Sequence, residues 1–213
     1  MPYDPNRHHR RSIRLKGYDY SQAGAYFITL CTQDRACLFG KVVNGEMRLN
    51  DAGRMVLAEW NRLPERFPHL VLDAFVVMPN HVHGILVITD PAPTVGATVG
   101  ATVGATLVVA PTAPTVGNII GAFKSRVTVE YIRGVKTSGW PPFRGRLWQR
   151  NYYEHIIRNE RALNAIRQYI MENPRRWHRD REKEARSASD PLAQAIRNMP
   201  KQEEADHSHG GAP

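Results

Sequence analysis

Cysteine is scarce in this 213-residue chain, which carries only Cys31 and Cys37. Two thiols in strand-like segments make no disulfide framework, and a reducing, cytoplasmic setting is the expectation. Long apolar runs are missing as well. No stretch approaches the roughly 20 residues needed to cross a bilayer, and residues 1–16 are polar and basic, without the apolar core of a signal segment. Disulfide scaffolds and membrane spans are thereby excluded, and no membrane partner is expected. Acidic residues are also in short supply, with 20 Asp and Glu against 29 Lys and Arg for a net charge of +9. The imbalance is local. Residues 1–20 hold five basic residues against two acids and residues 118–178 hold twelve against four, whereas 21–117 and 179–213 each carry six against seven. Two basic patches of this kind point to a polyanion such as nucleic acid.

What the chain does have is a hydrophobic share of 42%, enough for one domain of ordinary size with a real core. The segment 78–88 is the most informative. Phe75, Val76 and Val77 lead into Met78-Pro79-Asn80-His81-Val82-His83, and Ile85 to Ile88 lead out. On a strand His81 and His83 share a face about 7 Å apart while Val82 points to the core. Two imidazoles so placed can converge on one divalent ion, given a further ligand from elsewhere. A His-x-His pair arising by chance is the competing reading.

Around that stretch the pattern alternates strands and helices. Residues 25–32 read as a strong strand, and 37–43 and 46–49 as a hairpin about Asn44-Gly45. Asn50-Asp51 caps a helix expected to run to Leu63, with Pro64 at its end. Strands at 73–78 and 81–88 follow. The Thr-Val-Gly-Ala repeats of 91–117 are too short-period and small-residue-rich to pack, and read as a surface insertion. Gly117-Asn118 opens an amphipathic helix with Ile119, Phe123 and Val127 on its buried face. Residues 147–157 look strand-like, and Asn159 caps a last helix expected to stop at Asn173-Pro174. The organisation expected is a basic arm at 1–20, one domain at 21–178 and a charged, disordered tail at 179–213.

The last helix carries Tyr169 and Asn173, four apart and so on one face. Alone, these would be a core-edge tyrosine and a helix-end amide. Packed over a sheet face bearing His81 and His83, they would join a nucleophile, an amide oxygen and two imidazoles. A phenol attacking a phosphodiester needs a metal to withdraw charge from the phosphate, and mixed N/O ligation suits Mg²⁺ or Mn²⁺.

The Met-Pro-Asn-His-Val-His segment, the Leu-Trp-Gln-Arg-Asn-Tyr-Tyr-Glu-His-Ile-Ile-Arg segment and the Tyr-Ile-Met-Glu-Asn-Pro ending resemble the single-tyrosine HUH transposases. More closely, they resemble the REP-associated tyrosine transposases, and the Arg-Arg-Ser-Ile-Arg-Leu-Lys-Gly-Tyr-Asp-Tyr start resembles that group too. The likeness covers about residues 10–178. It implies an α+β fold, an HUH-endonuclease-type α/β sandwich whose central antiparallel sheet is similar to RNA-recognition and ferredoxin-like folds. It implies His81, His83 and Asn173 as metal ligands, with Asn173 standing where insertion-sequence relatives have glutamine, and Tyr169 as the nucleophile joined to a DNA 5′ phosphate. Tyr152 and Tyr153 read as core or stacking aromatics, with Glu154 and His155 as residues that could flank the metal.

The activity implied is a metal-dependent single-stranded DNA endonuclease and strand transferase. It would cut and rejoin hairpin-forming repetitive palindromes, with the protein monomeric or homodimeric. Arg10, Arg11, Arg14 and Lys16 are candidate DNA contacts in the arm, and Lys124, Arg126, Arg144, Arg146 and Arg150 in a groove. The alternative is a non-catalytic binder of single-stranded hairpins on the same fold.

Overall fold

Strand β1 (Gly24–Cys31) is buried on both faces, with Tyr26, Ile28 and Leu30 on one side and Phe27 on the other, which places it inside a sheet. The computed structural model describes residues 17–90 and 114–183, with side chains up to 177. Arg10, Arg11, Arg14, Lys16, most of the 91–117 insertion and residues 184–213 lie outside the described residues.

The other elements are strands β2 (Gly40–Val43) and β3 (Glu46–Leu49), helices α1 (Asp51–Asn61) and α2 (Leu63–Arg66), strands β4 (Leu70–Val77) and β5 (His81–Ile88), helix α3 (Val116–Ser138), strand β6 (Tyr153–Ile157) and helix α4 (Glu160–Lys183). Four strands form one sheet in the order β4-β5-β1-β6, antiparallel throughout, while β2 and β3 pair separately. With that hairpin set aside, the chain runs β-α-β-β-α-β with the first and third sheet strands adjacent. That is the split βαβ arrangement of ferredoxin-like folds, and the fold is α+β as the sequence implied.

Helices α1 and α3 cover one face. Asn50 caps α1, its side chain accepting from the Gly53 N–H at 2.8 Å. Trp60 of α1 stacks on Phe75 at 4.2 Å and lies over Gly84. A Cβ at Gly84 would stand 2.5 Å from the Trp60 ring, so β5 needs a glycine there. On α3, Thr115 and Asn118 form a capping box, and Ile119, Phe123, Val127 and Tyr131 are buried. Helix α4 covers the other face with Ala162, Ile166 and Ile170, against Phe27, Ile85 and Ile157.

Several boundaries differ from the sequence reading. Pro64 does not end α1. The chain breaks at Arg62, and Pro64 occupies the first turn of α2, where a missing N–H costs nothing. The strand expected over 147–157 is regular only from Tyr153, with Trp148 making a lone bridge to Thr32. Helix α4 passes through Pro174 instead of stopping there and continues into the segment expected as disordered tail. The buried Trp177, one turn beyond the proline, supplies packing that offsets the lost backbone hydrogen bond.

Candidate active site

Strand β5 carries the two histidines on the α4 side of the sheet. Its alternation sends Val82 (1% exposed) into the core beneath α1 and α3, and turns His83 toward α4. The rings of His81 and His83 lie 4.6 Å apart between centroids, nearer than the strand repeat because both lean into one space. The Tyr169 ring is 5.3 Å from His83, and Trp177 is 5.9 Å from His81. Asn173 lies against His81, where its amide favours the protonated ring. The four residues singled out from the sequence thus meet between β5 and α4.

Each imidazole is held by a neighbour. Thr29 Oγ1 is 2.8 Å from His83 Nδ1, directly across the β1–β5 ladder. Phe27 stacks on the same ring at 5.5 Å. His81 Nδ1 lies 2.7 Å from Asn80 Oδ1, while Asn80 Nδ2 donates to the Arg35 carbonyl at 3.1 Å. An oxygen facing His81 Nδ1 makes that nitrogen the donor and leaves Nε2 its lone pair. Burial drives His81 down to about 4, aided by Arg35 and opposed by Asn173. Burial, then the nearby His81, holds His83 well below the ordinary histidine range. Both rings are neutral at pH 7, the form that binds metal.

Asn173 is the unusual member. It is 1% exposed on the stripe Ala162, Ile166, Ile170, Trp177, where a helix of this kind normally carries an apolar residue. Its amide meets the His81 ring, the contact that favours the protonated imidazole, but neither Oδ1 nor Nδ2 reaches a hydrogen bond of ordinary geometry. A buried amide without such bonds costs about 1–3 kcal/mol, and a cation between it and the two imidazoles would satisfy its oxygen. Among the described residues there is no cluster of three or more His, Cys, Asp or Glu. The available donors are therefore two imidazoles and a neutral amide. That set fits a weakly held ion with open positions, unlike a closed structural zinc site.

Helix α4 is fixed in place by a fork between Arg167 and Asp73. Arg167 Nε donates to Asp73 Oδ1 at 2.9 Å and Nη2 to Oδ2 at 2.6 Å, at the β4 irregularity between Leu72 and Phe75. Arg167 lies two residues from Tyr169.

The remaining candidates are dispersed. Tyr152 packs on the α1–α3 side of the sheet, and Tyr153 on the α4 side, 6.2 Å from Phe27. Glu154 pairs with Ile28 in the ladder and is buried, and His155 is half-buried opposite Phe27. Arg126 is 3.3 Å from the buried Glu59, and Lys124 donates to the Gln149 and Arg150 carbonyls. Arg144, Arg146 and Arg150 are exposed on the loop before β6. Thr29, Asn80 and Trp177 were not singled out from the sequence. Thr29 did leave a signal, a hydroxyl on the face of β1 that otherwise carries Ala25, Phe27 and Cys31.

No family model matches the chain. An uncharacterized protein of Haemophilus influenzae is 40% identical over 181 residues, covering 84% of this chain and 95% of that protein. A REP-associated tyrosine transposase solved bound to a REP hairpin is similar at a TM-score of 0.48 and 18% identity, over 76% of this chain and 73% of that one.

Proposed function

The chain belongs to one family with the Haemophilus influenzae protein, and we propose that it is a tyrosine-using, metal-dependent single-stranded DNA endonuclease and strand transferase acting on hairpin-forming repeats. The observation that carries this reading is the convergence of Tyr169, His81, His83 and Asn173 at one place between β5 and α4. The resemblance of residues 78–83, 147–158 and 169–174 to REP-associated tyrosine transposases points the same way, and so does the basic 118–178 segment.

In this reading His81, His83 and Asn173 hold a Mg²⁺ or Mn²⁺ ion, which when bound draws charge from the scissile phosphate. Thr29 and Asn80 keep both rings oriented with Nε2 toward the site. Tyr169 Oη attacks the phosphorus, the P–O3′ bond breaks, and a 5′-phosphotyrosine forms. The balance closes because the phenol loses one proton and the leaving 3′ oxygen gains one. One phosphodiester replaces another, so the reverse step rejoins DNA without an external energy source. The Arg167–Asp73 fork holds the register of α4, and a shift of the nucleophile by about 1 Å would cost on the order of 10²-fold in rate.

The test uses hairpin oligonucleotides from repeats flanking the gene, with Mg²⁺ or Mn²⁺, on denaturing protein gels. The expected result is a metal-dependent covalent band, lost in Tyr169→Phe and His81→Ala and kept in Tyr152→Phe and Tyr153→Phe. Hairpin binding with no adduct under either metal would leave a binding protein instead. An adduct surviving in Tyr169→Phe would move the nucleophile to another tyrosine.

A further inference from the structure

Among the described residues, three other than glycine have positive φ: Asp34 at 56°, Arg35 at 52° and Asn44 at 53°. Asn44 belongs to the Asn-Gly hairpin turn, where that conformation is ordinary. Asp34 and Arg35 are consecutive, in the tight turn Gln33–Arg35 that follows β1. The left-handed region suits glycine, and aspartate or asparagine reach it with the help of a short polar side chain. An arginine side chain gives no such help, and a glycine at 35 would make the same turn with less strain.

The turn persists because its surroundings over-determine it. The fully buried Thr32 donates its backbone N–H to the Asn80 carbonyl at 2.9 Å, and its hydroxyl lies 2.9 Å from the carbonyl oxygens of both Asn80 and Ala36. The Arg35 N–H donates to the Thr32 carbonyl at 3.2 Å, and the Arg35 carbonyl accepts from Asn80 Nδ2 at 3.1 Å. The same Asn80 presents Oδ1 to His81 Nδ1 at 2.7 Å. One side chain therefore joins the Arg35 backbone to the first imidazole. The guanidinium is near enough to act on that ring, which it helps to keep neutral. Strain held this firmly gathers at working sites, and what it holds here is a permanent positive charge.

We propose that Arg35 is a further catalytic residue, whose guanidinium grips the non-bridging oxygens of the phosphate attacked by Tyr169. This role rests on the proposed function. As the phenol oxygen closes on phosphorus, negative charge gathers on those oxygens. The donors His81, His83 and Asn173 are neutral, so Arg35 brings to this place a positive charge of the protein's own. Its planar fork offers two parallel N–H groups to two phosphate oxygens. It stays charged throughout and takes no part in the proton balance, in which the phenol loses one proton and the leaving 3′ oxygen gains one.

The test follows adduct formation by the full chain on a hairpin oligonucleotide with Mn²⁺. Saturating protein separates rate from affinity, and fluorescence anisotropy measures affinity alone. Arg35→Ala is expected to slow the adduct about 10²–10³-fold, with hairpin affinity and Mn²⁺ binding near wild type. Added guanidinium ion should restore part of the rate to Arg35→Ala and none to Tyr169→Phe. Arg35→Lys keeps the charge but loses the fork, and its rate should fall between the two. Arg35→Gly should melt higher than Arg35→Ala, whose Cβ keeps the strain, yet react as slowly.

An Arg35→Ala variant that reacts at the wild-type rate, or whose slower reaction is matched by an equal loss of affinity, overturns the role. Loss of Mn²⁺ binding would also overturn it, making Arg35 a support for His81. A wild-type rate in Arg35→Gly would do the same, since the shape of the turn would then be the cause. No adduct from wild type would sink the proposed function and this role together. A wild-type adduct indifferent to Arg35 would sink the role alone.

Discussion

The two faces of the sheet are built to different rules. Toward α1 and α3 the buried surface is dense and aromatic, with Trp60, Phe123, Trp148 and Phe39 joined in a chain of ring contacts. Toward α4 the cluster is smaller, and at one end it gives way to His81, His83, Thr29, Tyr169 and Asn173. The first face converts burial into stability. The second gives up apolar packing to keep donor atoms dry and oriented, a division expected where a fold carries a reaction.

The comparison breaks most visibly at Trp60. Trp60→Ala empties the centre of the first face and is expected to cost about 3–5 kcal/mol in urea unfolding, with activity lost only through unfolding. On the second face the order should reverse. His83→Gln is expected to leave the unfolding midpoint near wild type while reducing adduct formation by about 10²-fold or more. A collapse of stability in that variant would mean the histidine is structural.

A smaller effect is expected where the rings are merely held. Thr29→Val and Asn80→Ala should weaken Mn²⁺ binding, read by electron paramagnetic resonance, by about 10–100-fold. Unchanged affinity would remove them from the site.

The mildest prediction concerns the fork that fixes α4. Arg167 holds the Asp73 carboxyl below the usual carboxylate range, opposed by burial and aided by the Ala74 N–H. A carboxyl depressed in the fold contributes stability above its unfolded pKa of about 4 and loses it as pH falls through the folded value. Thermal unfolding of Asp73→Asn should therefore depend less on pH below about 4 than wild type does. Parallel curves would show that the fork is not stabilising.

Most of the α+β framework was legible because its signals are local. β-branched runs marked β1 and β5, Asn44-Gly45 marked the hairpin, with both residues at positive φ, and Asn50 and Asn159 marked helix starts. The errors came from reading local signals as decisive. Pro64 and Pro174 look like stops, but one opens a new helix and the other is carried through by the packing of Trp177. The histidines, the tyrosine and the amide were visible as residue types at suggestive spacings. Thr29 and Asn80 were not, because their roles exist only across the β1–β5 ladder and around the turn before β5.

Asn173 separates the two rules within one side chain. Asn173→Leu keeps the shape, removes a buried amide whose contact with His81 falls short of an ordinary hydrogen bond, and extends the apolar stripe of α4. Differential scanning calorimetry and Mn²⁺ titration of that variant would test the claim most directly. The account predicts a higher melting temperature together with loss of Mn²⁺ binding. A lower melting temperature with Mn²⁺ binding intact would contradict it, since Asn173 would then be supporting the fold and not the metal.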